Sequence, residues 1–311
     1  MAPVMHTKEV QKVKHSDGSK TVNGFRVLRL LGEGSFAKVK LCEELTTRRS
    51  FALKVFRKLP LRKQREFMRA EDGEGMRVRT SLDKVYQEIE LMKDISHAHC
   101  VQLHAVFEEP AVSGKIYVVL ELAEGGAAMD WDEQRQEFSA AGGGLVPEDT
   151  ARRFLQQLLA ALGYLHAVWV AHRDVKPQNL LVASGHLKLG DFGTAARMGE
   201  DYLIHGTEGT YHFFSPEMCQ VGYRGHDGRR ADIWAAGVSL WAFRSGKLPF
   251  FHKDMAVLMD RIAAGELCWE GASFSAGCSG SLELMLCKDP GQRPLAEELL
   301  LDPWIGIDAS S

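Results

Sequence analysis

Two short segments in the middle of the chain carry residue types that could perform chemistry. Residues 172–179 read His-Arg-Asp-Val-Lys-Pro-Gln-Asn, and Asp-Phe-Gly follows at 191–193. Together they supply a base, a cation and two ligands for a divalent metal. Transfer of a phosphoryl group needs little covalent help from a protein, but it needs an aligned hydroxyl and cations that neutralise the moving oxygens. The two segments contain the groups that such a reaction requires.

A glycine-rich segment lies upstream of them. Residues 32–39 read Gly-Glu-Gly-Ser-Phe-Ala-Lys-Val and separate two stretches of strand-forming residues, as expected of a loop that covers phosphates. Standing alone, such a segment is more often an ordinary hairpin turn. Lys54 follows at the end of the next predicted strand, and this lysine makes the phosphate loop the favoured interpretation.

Lys54 needs a negatively charged partner, because it lies within an apolar strand, in the sequence Phe-Ala-Leu-Lys. Opposite charges at ~4 Å attract by about 4 kcal/mol at an effective dielectric near 20. Residues 85–95 have apolar side chains at helical spacing and offer two glutamates. We expect Glu88 to be the partner, with Glu90 as the second choice.

These motifs resemble those of the protein kinases. Besides the segments already named, residues 215–217 read Ser-Pro-Glu, where the family has Ala-Pro-Glu, and the resemblance extends over residues 25–304. Lys176 is the residue type that serine/threonine kinases carry at this place. Ala37 departs from the family, which has a third glycine there. The implied activity is ATP- and Mg²⁺-dependent phosphorylation of serine or threonine.

The resemblance implies a role for each catalytic residue. Asp174 would accept or orient the proton of the substrate hydroxyl, and Lys176 would lie beside the γ-phosphate. Asn179 and Asp191 would hold Mg²⁺, which prefers hard oxygen ligands. The implied nucleotide contacts are Gly32, Glu33, Gly34, Ser35, Phe36, Ala37, Lys38, Val39, Ala52, Lys54, Glu88, Leu120, Glu121, Leu122, Leu181 and Asp191.

The resemblance also implies how the segment after Asp191 is ordered. Arg173 can pair with a phosphate on that segment, and alignment with the family makes Thr207 the candidate phosphosite. A plain polar loop residue is an equal alternative for Thr207, since Glu208 already places a negative charge nearby. Thr210 would contact the catalytic Asp174.

Two further expectations concern the framework that supports the site. Glu217 would pair with the distant Arg293, and Asp232 would open a buried helix. The fold class is expected to be α+β: a bilobal kinase fold with a small antiparallel β-rich N-lobe carrying one main helix, and a larger helical C-lobe. The expected divisions are a flexible extension (1–24), the kinase domain (25–304), its N-lobe (25–122), hinge (121–126) and C-lobe (127–304), and a short tail (305–311).

Composition limits the other possibilities. The chain has 311 residues, 45% of them hydrophobic, and a formal net charge of −3, so nucleic acid is not an expected partner. The six cysteines form no Cys-x-x-Cys pair, which disfavours a zinc site or a disulfide framework and favours the cytoplasm or nucleus. The apolar run at 233–243 is shorter than the ~20 residues that a membrane span requires. The basic stretch 57–84 is expected to be a solvated insertion.

Within the kinases, residues 83–89, Asp-Lys-Val-Tyr-Gln-Glu-Ile, resemble the calcium/calmodulin-dependent protein kinase kinases. That likeness implies a protein substrate, the activation loop of another kinase. Only seven residues follow Trp304, too few for a calmodulin-binding helix, so calmodulin is not an expected partner. A pseudokinase scaffold and a small-molecule phosphotransferase are the alternatives. The presence of Lys54, Asp174, Asn179 and Asp191 together favours a protein kinase.

Overall fold

The computed structural model describes residues 4–34, 37–69, 76–199, 201–220, 222–264, 267, 269 and 274–306. The chain divides into two compact units. The first consists of Met1–Ser96 and Val101–Ala123, and the second of His97–Cys100 and Glu124–Ser311.

The first unit is mainly β-structure. Its elements among the described residues are β1 (Met5–Thr7), β2 (Lys12–Lys14), β3 (Lys20–Val22), β4 (Phe25–Glu33), β5 (Ala37–Glu44), β6 (Ser50–Arg57), α1 (Lys58–Lys63), β7 (Arg65–Arg69), β8 (Met76–Thr80), α2 (Ser81–Asp94), β9 (Leu103–Glu108) and β10 (Lys115–Glu121). Eight strands form one sheet in the order β1-β9-β10-β6-β5-β4-β3-β2, while β7 and β8 form a separate hairpin.

The first 24 residues differ from the flexible extension expected from the sequence, because β1, β2 and β3 belong to the main sheet. The turn between β3 and β4 is Asn23-Gly24, and both residues have positive φ, 45° and 83°. Such a pair forms the tight hairpin turn whose twist matches that of the strands on either side. The turn brings Val22 opposite Phe25. This Asn-Gly signal is visible in the sequence and was overlooked.

The sheet of the first unit is curled. Strand β1 pairs in parallel with β9 at one edge, and β2 forms the other edge. Only five Cα-to-Cα steps separate Thr7 from Lys12, so the two edges approach within about 18 Å. The enclosed face carries a core of buried residues, namely Val22, Phe25, Cys42, Phe51, Leu53, Ala105, Phe107, Tyr117 and Val119.

The basic stretch 57–84 contains more structure than the solvated insertion that its composition predicts. It holds α1, the β7–β8 hairpin and the first turn of α2. Lys58 is buried and its Nζ lies 2.7 Å from Glu108 Oε1, which anchors the start of the stretch. Thr80 and Asp83 form a capping box that begins α2.

The second unit is mainly helical. Its elements among the described residues are β11 (Gly126–Ala127), β12 (Asp130–Asp132), β13 (Glu137–Ser139), α3 (Glu148–Ala167), β14 (Val170–Ala171), β15 (Leu180–Ala183), β16 (His186–Leu189), β17 (Ala196–Arg197), β18 (Leu203–Ile204), β19 (His226–Asp227), α4 (Gly228–Ser245), α5 (Met255–Ala264), α6 (Ala276–Met285) and α7 (Ala296–Leu299). The strand-rich first unit and helix-rich second unit agree with the expected α+β class.

Helix α4 contains the apolar run 233–243. The prediction that Asp232 opens this helix is wrong, because α4 begins at Gly228. Every residue from 231 to 243 is buried. The helix is capped by the Asp227 side chain and ends at Gly246, whose φ of 69° reverses the chain. Among the described residues, no helix has both the length and the apolar character needed to span a membrane.

Candidate active site

The predicted partner of Lys54 is present in the first unit. Lys54 lies on β6, and its Nζ is 2.7 Å from Oε1 of Glu88 on α2. The two side chains are only 16% and 9% exposed, so the charges meet away from bulk water. Glu90, the second choice, instead pairs with Lys93 at the surface.

A network that the sequence analysis missed fixes helix α2. Glu108, on β9, accepts hydrogen bonds from Tyr86 of α2 and from Lys58, each 2.7 Å long. Burial alone would raise the pKa of Glu108, but the bonds from Lys58 and Tyr86 outweigh burial and lower it. Burial and the bond to Glu108 raise the pKa of Tyr86 to about 12. The network therefore holds the helix that presents Glu88.

The glycine loop connects β4 and β5, which pair Gly32 with Val39 and Glu33 with Lys38. A Cβ placed on Gly32 would meet nothing within 4 Å, and one on Gly34 would meet only the Ala37 carbonyl oxygen at 3.9 Å. Neither glycine has the positive φ that would require it. The protein's own packing therefore does not demand glycine there, whereas close approach of a phosphate to the backbone would. The predicted contacts Ser35 and Phe36 lie outside the described residues.

Four other predicted nucleotide contacts share one face of the sheet. Val39 lies opposite Lys54, and Ala52 lies opposite Leu120. Because side chains alternate along a strand, these positions project to the same side. Glu121 ends β10, and its Oε2 accepts a bond from the Gln102 amide. The remaining contacts Leu122, Leu181 and Asp191 follow β10, lie on β15 and follow β16, respectively.

In the second unit, Asp174 is the centre of a hydrogen-bond cluster. Its Oδ1 accepts from the Thr210 hydroxyl at 2.7 Å, and its Oδ2 accepts from Asn179 Nδ2 at 2.9 Å. Lys176 Nζ lies 2.7 Å from Oδ2 of the same carboxylate and donates to the Thr210 hydroxyl at 2.8 Å. The contact of Thr210 with Asp174 and Lys176, predicted from the family, is therefore present. The cluster holds the Asp174 carboxylate in place among hydrogen-bond donors.

The two predicted magnesium ligands flank one hairpin. Asn179 precedes β15 and Asp191 follows β16, and the Gly190 amide donates to the Asn179 carbonyl at 2.9 Å. The Asn179 amide group donates twice to Asp174, so no bond of the described residues engages its side-chain oxygen. Asp191 has a φ of 57°, a strained conformation for a non-glycine residue. A carboxylate and an amide oxygen form a donor set that fits Mg²⁺.

His172 and Asp232 support the loop that carries Asp174. His172 Nε2 donates to the Gly190 carbonyl and its Nδ1 accepts from the Asp174 amide, which defines one neutral tautomer. Asp232, on α4, is buried and accepts from the backbone amides of His172 and Arg173 and from His166. Burial would raise the pKa of Asp232, but the bonds from His166 and His172 lower it. The buried carboxylate thus ties the loop to α4.

Arg173 is the charged contact of the segment that follows Asp191. Its NH1 lies 3.2 Å from Glu208 Oε2 and 3.3 Å from the Thr194 carbonyl oxygen, and its NH2 lies 3.3 Å from the Gly206 carbonyl oxygen. Thr207, the candidate phosphosite, is exposed beside Glu208. The sequence analysis noted the charge of Glu208 but did not assign it this contact.

The predicted pair of Glu217 and Arg293 is present and bidentate. The guanidinium NH1 and NH2 lie 2.9 Å and 3.1 Å from the two carboxylate oxygens. Arg293 is fully buried and also donates to the carbonyls of Arg230 and Cys287. The pair ties the end of the Ser-Pro-Glu segment to the helical unit.

Comparison with known proteins agrees with this geometry. Residues 25–305 match the protein kinase domain family. The chain is 35% identical over 291 residues to CBL-interacting protein kinase 24 of Oryza sativa subsp. japonica, covering 92% of this chain and 57% of that protein. It is 34% identical over 306 residues to serine/threonine-protein kinase GRIK1 of Arabidopsis thaliana, covering 97% and 72%. A probable serine/threonine-protein kinase of Dictyostelium discoideum is 34% identical over 307 residues, covering 98% and 41%.

The chain belongs to the protein kinase family. It spans about half the length of several of these relatives.

Proposed function

We propose that this domain transfers the γ-phosphoryl group of ATP to serine or threonine hydroxyls of a protein. The observation that carries the proposal is the cluster around Asp174, where Asn179, Lys176 and Thr210 fix one carboxylate. Such a carboxylate can orient an incoming hydroxyl and take its proton. Lys176 would neutralise charge that develops on the transferred oxygens.

The bound nucleotide would supply the phosphoryl group, and Mg²⁺ would neutralise its negative charge. Gly32, Gly34 and Lys54 are the residues proposed to hold the phosphates, and Asn179 and Asp191 are those proposed to hold the metal. The open space at the two glycines and the oxygen donor set support these assignments. The pair of Lys54 with Glu88 holds the lysine ammonium group in place.

The finer proposal is that the substrate is the activation loop of another kinase. Support comes from the resemblance of residues 83–89 to the calcium/calmodulin-dependent protein kinase kinases. The expected cytoplasmic or nuclear location also stays a prediction. A pseudokinase scaffold is less well supported, since a scaffold does not need the ion pair of Lys54 with Glu88 or the hydrogen-bond donors around Asp174.

The test incubates the purified chain with Mg-ATP and three acceptors: a catalytically inactive downstream kinase, casein, and a mixture of small alcohols. We expect phosphate on a threonine of the inactive kinase's activation loop. The Asp174→Asn protein is the control and must leave that threonine unmodified. Phosphorylation of casein alone would remove the finer proposal, while labelling of the alcohols alone would overturn protein phosphorylation altogether.

Regulation of the domain can also be proposed from the site. Arg173 already has a carboxylate partner in Glu208, so we infer that the segment is ordered before any phosphate is added. Thr207 remains the candidate phosphosite, and its exposed hydroxyl supports access by a kinase. Phosphate at Thr207 would then adjust an active domain rather than switch on an inactive one.

A further inference from the structure

The first unit contains a cavity of about 710 Å³ on one face of its sheet. Part of its floor is apolar and includes the accessible side chains of Val13, Val27 and Val55. Leu53 and Val55 alternate along β6 with Ala52 and Lys54, so the cavity opens on the face opposite the proposed contacts Val39, Ala52, Lys54 and Leu120. Its volume is within the range of sites that bind small molecules.

The walls of this cavity are strongly basic. Seven lysine or arginine side chains and one carboxylate line it, which gives a formal charge of +6 within a chain whose net charge is −3. Lys12 pairs with Glu109, and Lys38 pairs with Glu33. In the described part of the chain, no carboxylate forms an ion pair with the other five, which are Lys14, Lys20, Lys40, Arg57 and Lys115.

Strand register places some of these cations directly against one another. Lys14 lies opposite Lys20 in the β2–β3 pair, and Arg57 lies opposite Lys115 in the β6–β10 pair. Like charges at directly opposed positions destabilise a sheet. Two such pairs line the same cavity. An anion bound there would attract the cations of both pairs and offset their mutual repulsion.

We propose that the cavity binds a small amphipathic anion. Its phosphate or carboxylate group lies among the unpaired cations, and its hydrocarbon part covers the apolar floor. Charge alone would recruit inorganic phosphate equally well, but that ion would leave the apolar surface of Val13, Val27 and Val55 uncovered. The enclosed shape and apolar floor favour a small molecule over an extended acidic peptide.

A molecule bound in the cavity would contact the glycine loop. Glu33, Gly34, Ala37 and Lys38 all line the cavity and all belong to the loop. An occupant that holds these residues is expected to lower the KM for ATP about threefold, a modest coupling between two sites. This consequence rests on the proposed function, whereas binding of the anion does not.

The binding test uses the full chain at low ionic strength and isothermal titration calorimetry. The probes are octyl phosphate, inorganic phosphate and octyl glucoside, which separate the charge from the hydrocarbon part. We expect octyl phosphate to bind at one site and to raise the melting temperature, and the other two to do neither at the same concentration. Equal binding of inorganic phosphate, or tighter binding of a polyglutamate peptide, would overturn the proposal.

Substitutions locate the site. The double variant Lys14→Gln, Lys20→Gln is expected to bind octyl phosphate about tenfold more weakly. Without ligand it should melt at a higher temperature than the parent, because the opposed charges are gone. Lysines that served only to stabilise the fold would give a lower melting temperature and unchanged binding, which would contradict the proposal.

The control double variant is Lys247→Gln, Lys253→Gln, which removes two exposed lysines of the second unit. It should bind octyl phosphate like the parent protein. A loss of binding equal to that of the first double variant would show that only net charge matters and would overturn the site. Because calorimetry needs no catalysis, failure of the kinase assay leaves this result interpretable.

Discussion

Glu208 gives Arg173 a charged partner without covalent modification. The two side chains are only 9% and 28% exposed, so their attraction is less screened than that of a surface pair. Arg173 also binds the carbonyls of Thr194 and Gly206, and a single side chain therefore joins three points of the segment. Glu208 thus supplies a negative charge that a phosphate on this segment could otherwise supply to Arg173.

Substitution of Glu208 tests this interpretation. Glu208→Gln keeps a hydrogen-bond acceptor but removes the charge, and kcat/KM should fall about tenfold. Thr207→Ala should change it less than about twofold, since the side-chain hydrogen bonds described for Arg173 go to Thr194, Gly206 and Glu208. Steady-state assays on each protein before and after phosphatase treatment measure both variants. A larger loss of kcat/KM in Thr207→Ala than in Glu208→Gln would contradict this interpretation. It would indicate that phosphorylation orders the segment.

At the scale of elements, the sequence predicted the helices with clear apolar spacing, including most of α2 and α4. It also predicted a strand on each side of the glycine loop and a further strand that carries Lys54, which are β4, β5 and β6. It did not predict β1 to β3, because three-residue strands show almost no periodicity and gain stability only by pairing with the sheet. Nor did it find the Lys58–Glu108–Tyr86 network, since such partners are far apart along the chain.

The site could be predicted from the sequence where its residues lie close together along the chain. The motifs at 172–179 and 191–193 identify Asp174, Asn179 and Asp191 because these residues flank a single hairpin. The contact of Arg173 with Glu208 depends instead on how the segment folds back, which composition does not reveal. The basic cavity likewise arises from the register between strands that are distant in sequence.

Two glycines, one in the β3–β4 turn and one on β4, should respond differently to alanine. Gly24→Ala places a side chain at a φ of 83°, so the free energy of unfolding should fall by about 1 kcal/mol or more, with the KM for ATP unchanged. Gly32→Ala meets open space and should leave stability unchanged but raise that KM severalfold. Urea unfolding and ATP titration measure both properties. Equal loss of stability in the two variants would contradict the proposed role of Gly32.

The β18–β19 pair should weaken in acid. Burial lowers the pKa of His226, which outweighs the opposing effects of Glu217, Asp227 and Asp232, while Arg173 lowers it further. Neutral His226 therefore contributes stability above the ordinary histidine pKa near 6.5, and this contribution is lost as the pH falls below that value.

Hydrogen exchange at pH 7.5 and 5.5, corrected for intrinsic rates, measures this effect. Protection of residues 203–204 and 226–227 should decrease at the lower pH. In His226→Gln the decrease should be smaller, because glutamine does not titrate. The half-buried residue His252 provides the control, and His252→Gln should behave like the parent. An unchanged decrease in His226→Gln would assign the effect to another group.

At the scale of the whole molecule, the buried pair of Glu217 and Arg293 should govern stability more than catalysis. Glu217→Gln leaves the fully buried guanidinium without its counter-charge, and the free energy of unfolding should fall by about 3–5 kcal/mol. Thermal unfolding of the parent and variant measures the loss. A shift of less than about 1 kcal/mol would show that the bonds to Arg230 and Cys287 suffice.

The proposed function gives the residues of the site separate tasks. The glycine loop and Lys54 would hold the nucleotide, Asn179 and Asp191 the metal, and Asp174 the attacking hydroxyl. If the assignments are right, nucleotide binding and phosphoryl transfer should be separable by substitution. Asp191 would affect the metal-bound nucleotide, whereas Asp174 would affect only the hydroxyl that attacks it.

The most direct test compares Mg-ATP binding and protein phosphorylation in the parent, Asp174→Asn and Asp191→Asn proteins. Asp174→Asn should bind Mg-ATP like the parent and lose about 10³-fold in turnover. Asp191→Asn should lose the magnesium-dependent part of nucleotide binding together with turnover. Turnover within a few-fold of the parent in either variant would contradict the account.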